Sequence, residues 1–128
     1  MTANEKQVGG THYAAPIQHW DYVQTVLGGR YLEGCATKYV SRWRKKGGEQ
    51  DLEKASHYIE KLIEEAGAGR SKPFPPRHLN EEVYRFCDGY DLVGKERDII
   101  FWLSTWQSIT FLHQALTFLH LLMKEATQ

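Results

Sequence analysis

The chain has 128 residues, of which 41% are hydrophobic and 25% are charged, a composition typical of one folded domain. Its 16 basic and 16 acidic residues cancel, which excludes a uniformly basic coat, and we do not expect nucleic acid as a partner. The two cysteines, Cys35 and Cys87, lie far apart and lack the spacing of a metal site. We therefore expect free thiols in a reducing compartment, the cytoplasm.

The sequence predicts neither export nor insertion into a membrane. The N-terminus has no apolar run of the kind that a signal peptide needs. The most apolar stretch, residues 99–123, is interrupted by polar side chains such as Gln107 and His113. It is therefore too polar to form a membrane span, which needs roughly 20 apolar residues.

The first predicted elements are an arm and a short helix. Residues 1–16 have the pattern of an extended or irregular arm, which contains Gly9-Gly10 and ends at Pro16. Residues 17–27 carry apolar side chains near helical spacing and predict a short helix. Gly28-Gly29 ends this helix.

An α-hairpin is the basis of the predicted fold. Residues 31–46 and 51–66 each carry one apolar stripe at helical spacing, and Gly47-Gly48 separates them. This order is typical of two antiparallel helices joined by a tight turn. Asp51 falls in or beside the first turn of the second helix, where a carboxylate is favourable.

A linker and a helical extension follow the hairpin. Residues 67–76 contain two glycines and three prolines and predict a linker, because proline blocks helix continuation. In the C-terminal extension, residues 77–128, short helices are predicted from Glu81 to about Cys87 and over residues 95–103. We expect Ser104-Thr105 to interrupt the second of these.

The last predicted helix, residues 109–124, is apolar on more than one face. In so small a protein such a helix is central to the core or forms a subunit interface, and we expect both, in a homo-oligomer. No segment alternates as a strand does, and no internal repeat stands out. The prediction is one all-α domain, residues 1–128, built on the hairpin with its N-terminal arm and apolar C-terminal helix.

One stretch approaches the P-loop pattern. Residues 89–96 fit it except at the last position, where Glu96 replaces the serine or threonine that binds magnesium. A P-loop also needs a strand before it and a parallel sheet around it, and the sequence predicts neither. We therefore interpret this segment as a turn followed by the start of a helix.

Two other groups of residues have the chemistry of a nucleotide site. The segment Gly9, Gly10, Thr11, His12 and Tyr13 offers backbone N–H groups, a hydroxyl, an imidazole and an aromatic ring for a phosphate and a base. Lys38 and Arg42 lie four residues apart and so project from one helix face, which Lys45 or Lys46 extends.

Asp21 and Asp51 lie on either side of these cations in the sequence, and a carboxylate there can hold magnesium or orient a hydroxyl. Taken singly, each feature also has a purely structural interpretation. Paired glycines form hinges, Lys38 and Arg42 are typical of a solvated helix face, and Asp51 is typical of a helix start.

The order of these residues resembles a known family. The series Gly9-Gly10-Thr11-His12-Tyr13, Ile17-Gln18, Trp20-Asp21, Lys38-Tyr39, Arg42, Lys46-Gly47-Gly48, Asp51-Leu52, Lys54-Ala55 and Tyr58 is similar to a family of small phage-encoded proteins, long described as a domain of unknown function. One branch contains the nucleotide kinase of T7-like phages, which has no P-loop. The resemblance covers residues 8–65. Two positions depart from the family pattern: Cys35 stands where asparagine is common, and His19 where proline is common.

The resemblance implies a nucleotide site and assigns roles within it. Lys38, Arg42 and Lys46 would neutralise phosphate charge, and Asp21 or Asp51 would bind Mg²⁺ or accept the proton of the attacking hydroxyl. The remaining ligand-binding positions that it implies are Gly9, Gly10, Thr11, His12, Tyr13, Gln18, Trp20, Tyr39 and Lys54. Among them, Tyr13, Trp20 and Tyr39 would offer rings for the base, and His12 a donor for a phosphate.

Three functions fit these residues. The first is a phage nucleoside-monophosphate kinase in the host cytoplasm, with Mg²⁺ as cofactor. The second is a non-catalytic protein that sequesters a nucleotide or a cyclic nucleotide signal and so counters host defence. The third is a phage effector that binds a protein through its apolar C-terminal helices.

Overall fold

The computed structural model of the chain describes residues 17–76 and 79–128, together with Ala3 and Glu5. Throughout these ranges the ordered elements are all helices, which confirms the predicted all-α class. The described part of the chain forms six helices: α1 (His19–Thr25), α2 (Tyr31–Arg42), α3 (Glu49–Gly67), α4 (Asn80–Gly89), α5 (Lys95–Thr105) and α6 (Ile109–Ala126).

The predicted hairpin is present as α2 and α3, although α2 ends at Arg42 and not at residue 46. The segment 43–48 instead forms a turn, closed by a hydrogen bond from the Gly48 N–H to the Trp43 carbonyl over 2.8 Å. Gly48 has φ +59° and ψ −143°, a conformation that only glycine adopts readily. The glycine pair therefore sets where the second helix begins.

The core lies between the two long helices and α5. α3 packs against α2 and α6, and α5 packs against α2, α4 and α6. The inner face of α6 is Leu112, Ala115, Leu119 and Leu122, all buried within the chain. α6 thus contributes one buried face to the core. Its Ile109 and Leu121 remain exposed, and the homo-oligomer stays a prediction.

The C-terminal extension differs from the prediction in detail. α5 continues through Ser104 and Thr105, which were expected to interrupt it, because both are buried and the Thr105 hydroxyl donates to the Phe101 carbonyl. Across the described ranges, no helix combines the length and the apolar character that a membrane span needs.

The linker is attached to the helices along its length. The Arg30 guanidinium lies 3.8 Å from the centre of the Phe74 ring and donates to the carbonyls of Lys72 and Pro73. The Phe74 N–H donates to the Trp106 carbonyl over 2.9 Å. These contacts hold the proline-rich segment across the ends of α2 and α5.

Two buried carboxylates tie α2 to α5. Glu33, in the first turn of α2, accepts a hydrogen bond of 2.9 Å from the Trp106 indole, which directly follows α5. Its other partner is Arg30, at 3.2 Å. Because a buried carboxylate without donors is costly, this pairing fixes one end of α2 against one end of α5.

The second carboxylate is Glu96, in the first turn of α5. Its Oε2 atom accepts from the Trp43 indole at 2.6 Å and from Arg44 Nε at 2.9 Å, and both donors directly follow α2. Its Oε1 atom is buried and has no hydrogen-bond partner within the described residues. The N-terminus of α5 favours negative charge at this position.

Replacing Trp106 with Phe removes the indole donor and leaves Glu33 under-bonded. We expect Trp106→Phe to lower the free energy of unfolding by about 1–3 kcal/mol. The measurement is urea denaturation followed by circular dichroism. Trp102→Phe is the matched control, because Trp102 packs edge-on against Phe118 at 4.7 Å and, among the described residues, has no hydrogen bond to a buried carboxylate. Equal losses in the two variants would contradict the role of the hydrogen bond.

Candidate functional site

The hairpin brings charged and aromatic side chains of α2 and α3 together on one surface. We call this surface the hairpin face and define it by Lys38, Tyr39 and Arg42 of α2 and Asp51, Lys54 and Tyr58 of α3. Because the helices are antiparallel, the end of α2 meets the start of α3. The face therefore joins residues that are as many as 20 positions apart in sequence.

Asp51 anchors the charged end of the hairpin face. Its side chain is 2% exposed, and its Oδ2 atom accepts hydrogen bonds from the Gly47 N–H at 3.0 Å and from Arg42 Nε at 3.2 Å. It lies in the first turn of α3, where the helix dipole favours a carboxylate. Asp51 thus closes the turn and fixes the direction of the Arg42 guanidinium.

Gly47 leaves the space that Asp51 occupies. A Cβ atom at this position would overlap the carboxyl group of Asp51. Glycine is therefore required here for close approach, whereas Gly48 is required for its backbone angles. The two glycines of the turn serve different purposes.

Three cations surround the ring of Tyr39. The Arg42 Cζ, Lys54 Nζ and Lys38 Nζ atoms lie 4.9, 5.4 and 5.6 Å from its centre. These distances are within the range of cation–π attraction. The face therefore concentrates positive charge on a partly buried aromatic ring in a protein whose formal net charge is zero.

Aromatic rings continue from Tyr39 along the hairpin. Tyr58 stacks on Tyr39 with ring centres 5.9 Å apart and planes 14° apart, and Tyr31 meets Tyr58 edge-on at 6.1 Å. A hydrogen bond with Tyr31 raises the pKa of the Tyr58 hydroxyl above its usual range, with Cys35 adding to the effect. Tyr31 is 70% exposed, so the row of rings runs outward from the cations.

His19 lies next to the charged end of the face, and sequence reasoning assigned it no role. Its Nε2 atom is 3.0 Å from the Thr37 hydroxyl, across the contact between α1 and α2. Burial lowers the pKa of His19 to about 4, and the positive charges of Lys38 and Arg42 add to the shift. A bound anion would offset the repulsion from these two cations.

The structure brings some of the predicted site residues together and leaves others elsewhere on the surface. It brings together Lys38, Tyr39, Arg42, Asp51 and Lys54 on the hairpin face. On α1, Trp20 and Asp21 are exposed, while Gln18 is the half-buried residue that precedes the helix. Lys46 is exposed on the turn. The predicted arm residues Gly9, Gly10, Thr11, His12 and Tyr13 lie outside the described residues.

Sequence reasoning also gave Tyr58 no role in the site, although it stacks on Tyr39. Its spacing was the available signal, because Lys54 and Tyr58 lie four residues apart on one face of α3. Over the parts of the chain that the structure covers, no three His, Cys, Asp or Glu side chains form a group that could hold a metal ion. The expected Mg²⁺ stays a prediction.

A comparison with known protein families finds a match to the same part of the chain. Residues 9–60 match the model of a family described as protein of unknown function (DUF3310). The match supports the resemblance to a family of unknown function and includes every residue of the hairpin face. No curated protein and no solved structure matches the chain.

A methyl group at Gly47 should displace Asp51. We expect Gly47→Ala to break both hydrogen bonds to Asp51 Oδ2 and to lower the free energy of unfolding by about 1–3 kcal/mol. Gly67→Ala is the control, since its Cβ would lie 3.8 Å from Ile109 within a helix, where alanine is favoured by up to about 1 kcal/mol. Chemical denaturation measures both, and a neutral Gly47→Ala would contradict the close approach.

Stability should fall in mild acid because of His19. Its pKa is about 4 in the folded chain against 6.5 for a free histidine. Between these values the unfolded state takes up a proton that the folded state excludes, so the free energy of unfolding decreases as pH falls from about 6.5 to about 4. Urea denaturation at several pH values measures the slope.

His19→Gln should reduce this slope. The exposed His113 provides the control, and His113→Gln should leave the slope unchanged. An unaltered slope in His19→Gln would show that other groups cause the acid sensitivity.

Proposed function

We propose that this protein binds a nucleotide at the hairpin face and transfers a phosphoryl group to or from it. The observation that carries the proposal is the group of three cations within 5.6 Å of the centre of one tyrosine ring. A nucleotide joins an anionic phosphate to a flat base, and this face offers cations and aromatic rings side by side.

The phosphate is assigned to the charged end. Arg42 meets Asp51 through Nε, which leaves the two terminal nitrogens of the guanidinium to donate to phosphate oxygens. A guanidinium held in a fixed direction loses little freedom when it binds a planar pair of oxygen acceptors. Lys38 and Lys54 add charge from the two sides of the hairpin.

The base is assigned to the tyrosines. Stacking of a base on an aromatic side chain contributes about 1–3 kcal/mol and tolerates different bases. Tyr31 and Tyr58 extend the aromatic row away from the cations, so a bound nucleotide would lie along the hairpin. The arm from Gly9 to Tyr13 would complete the site, as the resemblance implies.

For phosphoryl transfer, the two carboxylates differ in their exposure to solvent. Asp51 is buried and accepts two hydrogen bonds, so it acts as a positioning residue for Arg42. Asp21 is exposed on α1, and we assign to it the binding of Mg²⁺ or the proton of the attacking hydroxyl, as the resemblance implies. Charge neutralisation by Lys38, Arg42 and Lys46 would stabilise the transition state. A phage protein of this kind would act in the host cytoplasm, where its substrates are.

Calorimetry against a panel of nucleoside monophosphates, triphosphates and cyclic nucleotides tests binding. We expect Arg42→Gln and Lys54→Ala each to weaken affinity roughly 10- to 100-fold, since each removes a charged contact to phosphate. Lys61→Ala is the control, because Lys61 pairs with Glu65 on α3 at 3.1 Å, outside the hairpin face. Unchanged affinity in Arg42→Gln and Lys54→Ala, or no heat with any nucleotide, would overturn the proposal.

The fate of the bound nucleotide separates a kinase from a sequestering protein. Incubation with a nucleoside monophosphate, ATP and Mg²⁺, followed by chromatography, should yield the diphosphate, and Asp21→Asn should abolish its formation while binding persists. Tight binding with the ligand recovered unchanged would replace the kinase with a protein that withholds a nucleotide signal. Such a protein needs no carboxylate for chemistry.

A further inference from the structure

The two contacts between buried glutamates and tryptophans are reciprocal. Glu33 lies in the first turn of α2 and Trp43 directly follows that helix, while Glu96 and Trp106 hold the same places in α5, with the same ten-residue spacing. Each glutamate accepts from the tryptophan of the other helix and not from its own. Contacts of this form, in which i meets j and j meets i, are the signature of a two-fold interface.

The helices on either side of the linker repeat in order and length. α1, α2 and α3 have 7, 12 and 19 residues, and α4, α5 and α6 have 10, 11 and 18. α2 packs on α5, and α3 packs on α6, so the second and third helices of each unit meet their counterparts. Tyr22 of α1 and Phe86 of α4 also stack on each other, with ring centres 3.9 Å apart.

Many counterpart positions agree in burial as well. In the middle helices, Glu33, Ala36, Val40 and Ser41 are buried, and so are Glu96, Ile99, Leu103 and Ser104 at the same spacing. In the long helices the buried residues Leu52, Ala55 and Leu62 have identical buried counterparts in Leu112, Ala115 and Leu122. Helical periodicity alone would explain why the same positions are buried, but it does not explain why the same residue types stand at them.

We infer that residues 19–67 and 80–126 are two copies of one three-helix unit, paired within a single chain as the subunits of a symmetric dimer are paired. The second unit takes the place of a partner subunit. The match of the family of unknown function, residues 9–60, covers most of the first unit and none of the second. This is the extent expected if one unit is the module that the family shares.

The second unit lacks the positive charges of the hairpin face. At the positions that correspond to Lys38, Arg42 and Lys54 it has Phe101, Thr105 and Gln114. The aromatic pair is kept, since Trp102 and Phe118 replace Tyr39 and Tyr58 and lie 4.7 Å apart at their ring centres. The paired chain therefore has one phosphate-binding face, not two. This conclusion rests on the proposed function.

An experimental structure of the intact chain tests the pairing without a ligand. Superposing residues 19–67 on 80–126 should require a rotation of about 180°, with both tryptophan–glutamate hydrogen bonds present. A rotation far from a half-turn, or helices that superpose in a different order, would overturn the pairing.

Calorimetry of the intact chain with the four deoxynucleoside monophosphates tests the single face. We expect one nucleotide per chain, with affinity lowered roughly tenfold or more in Lys54→Ala and unchanged in Gln114→Ala, its counterpart. Two nucleotides per chain, or equal losses in the two variants, would overturn the single face. If none of the four nucleotides binds, both the proposed function for these nucleotides and the single binding face are overturned. The pairing of the two units is then still tested by the rotation that relates them in the experimental structure.

Discussion

The fold depends on the need to satisfy two carboxylates inside a small helical protein. Glu33 and Glu96 are 3% and 1% exposed, and a buried carboxylate that loses its partners costs several kcal/mol. Each finds its indole donor only at the end of the opposite helix. Interdigitation of apolar side chains restricts how α2 and α5 can shift along each other, and two directional hydrogen bonds at opposite ends add to the definition of one register. The linker is held by Arg30 and Trp106 at the same junction.

The position of α2 determines what the hairpin can bind. Its inner residues contact α5, so its outer residues, Lys38, Tyr39 and Arg42, are left beside α3. There Asp51 pairs with Arg42, and three cationic side chains lie within 5.6 Å of the centre of the Tyr39 ring. A formal net charge of zero therefore coexists with a locally cationic surface. Burial lowers the pKa of the neighbouring His19, and the charges of Lys38 and Arg42 lower it further.

Much of the first unit could be predicted from the sequence because its signals are local. Apolar stripes located α2 and α3, and a spacing of four placed Lys38 and Arg42 on one face. The end of α2 was predicted too late because residues 43–46 suit a helix, and the turn depends on the conformation of Gly48. The contact of His19 with Thr37 could not be predicted, since it joins two helices whose packing no sequence pattern specifies.

The repeat escaped detection for a related reason. The offset between counterparts shifts from 64 residues in the first helix of each unit to 63 in the second and 60 in the third, so no fixed period exists. Few residues are identical, and most of those that are belong to the core. What the two units share is a pattern of burial and a pair of reciprocal hydrogen bonds, both of which become visible only in three dimensions. The charged face, in contrast, belongs to one unit alone.

Titration of the isotope-labelled protein with a deoxynucleoside monophosphate, followed by amide NMR, tests most directly that the hairpin face is the binding site. If the hairpin face is the binding site, the largest chemical-shift changes should occur at the amides of residues 38–42 and 47–54, including the Gly47 N–H that bonds to Asp51. The amides of α6 should move little. Shifts concentrated on α5 and α6, or saturating binding that leaves Gly47 unmoved, would contradict it.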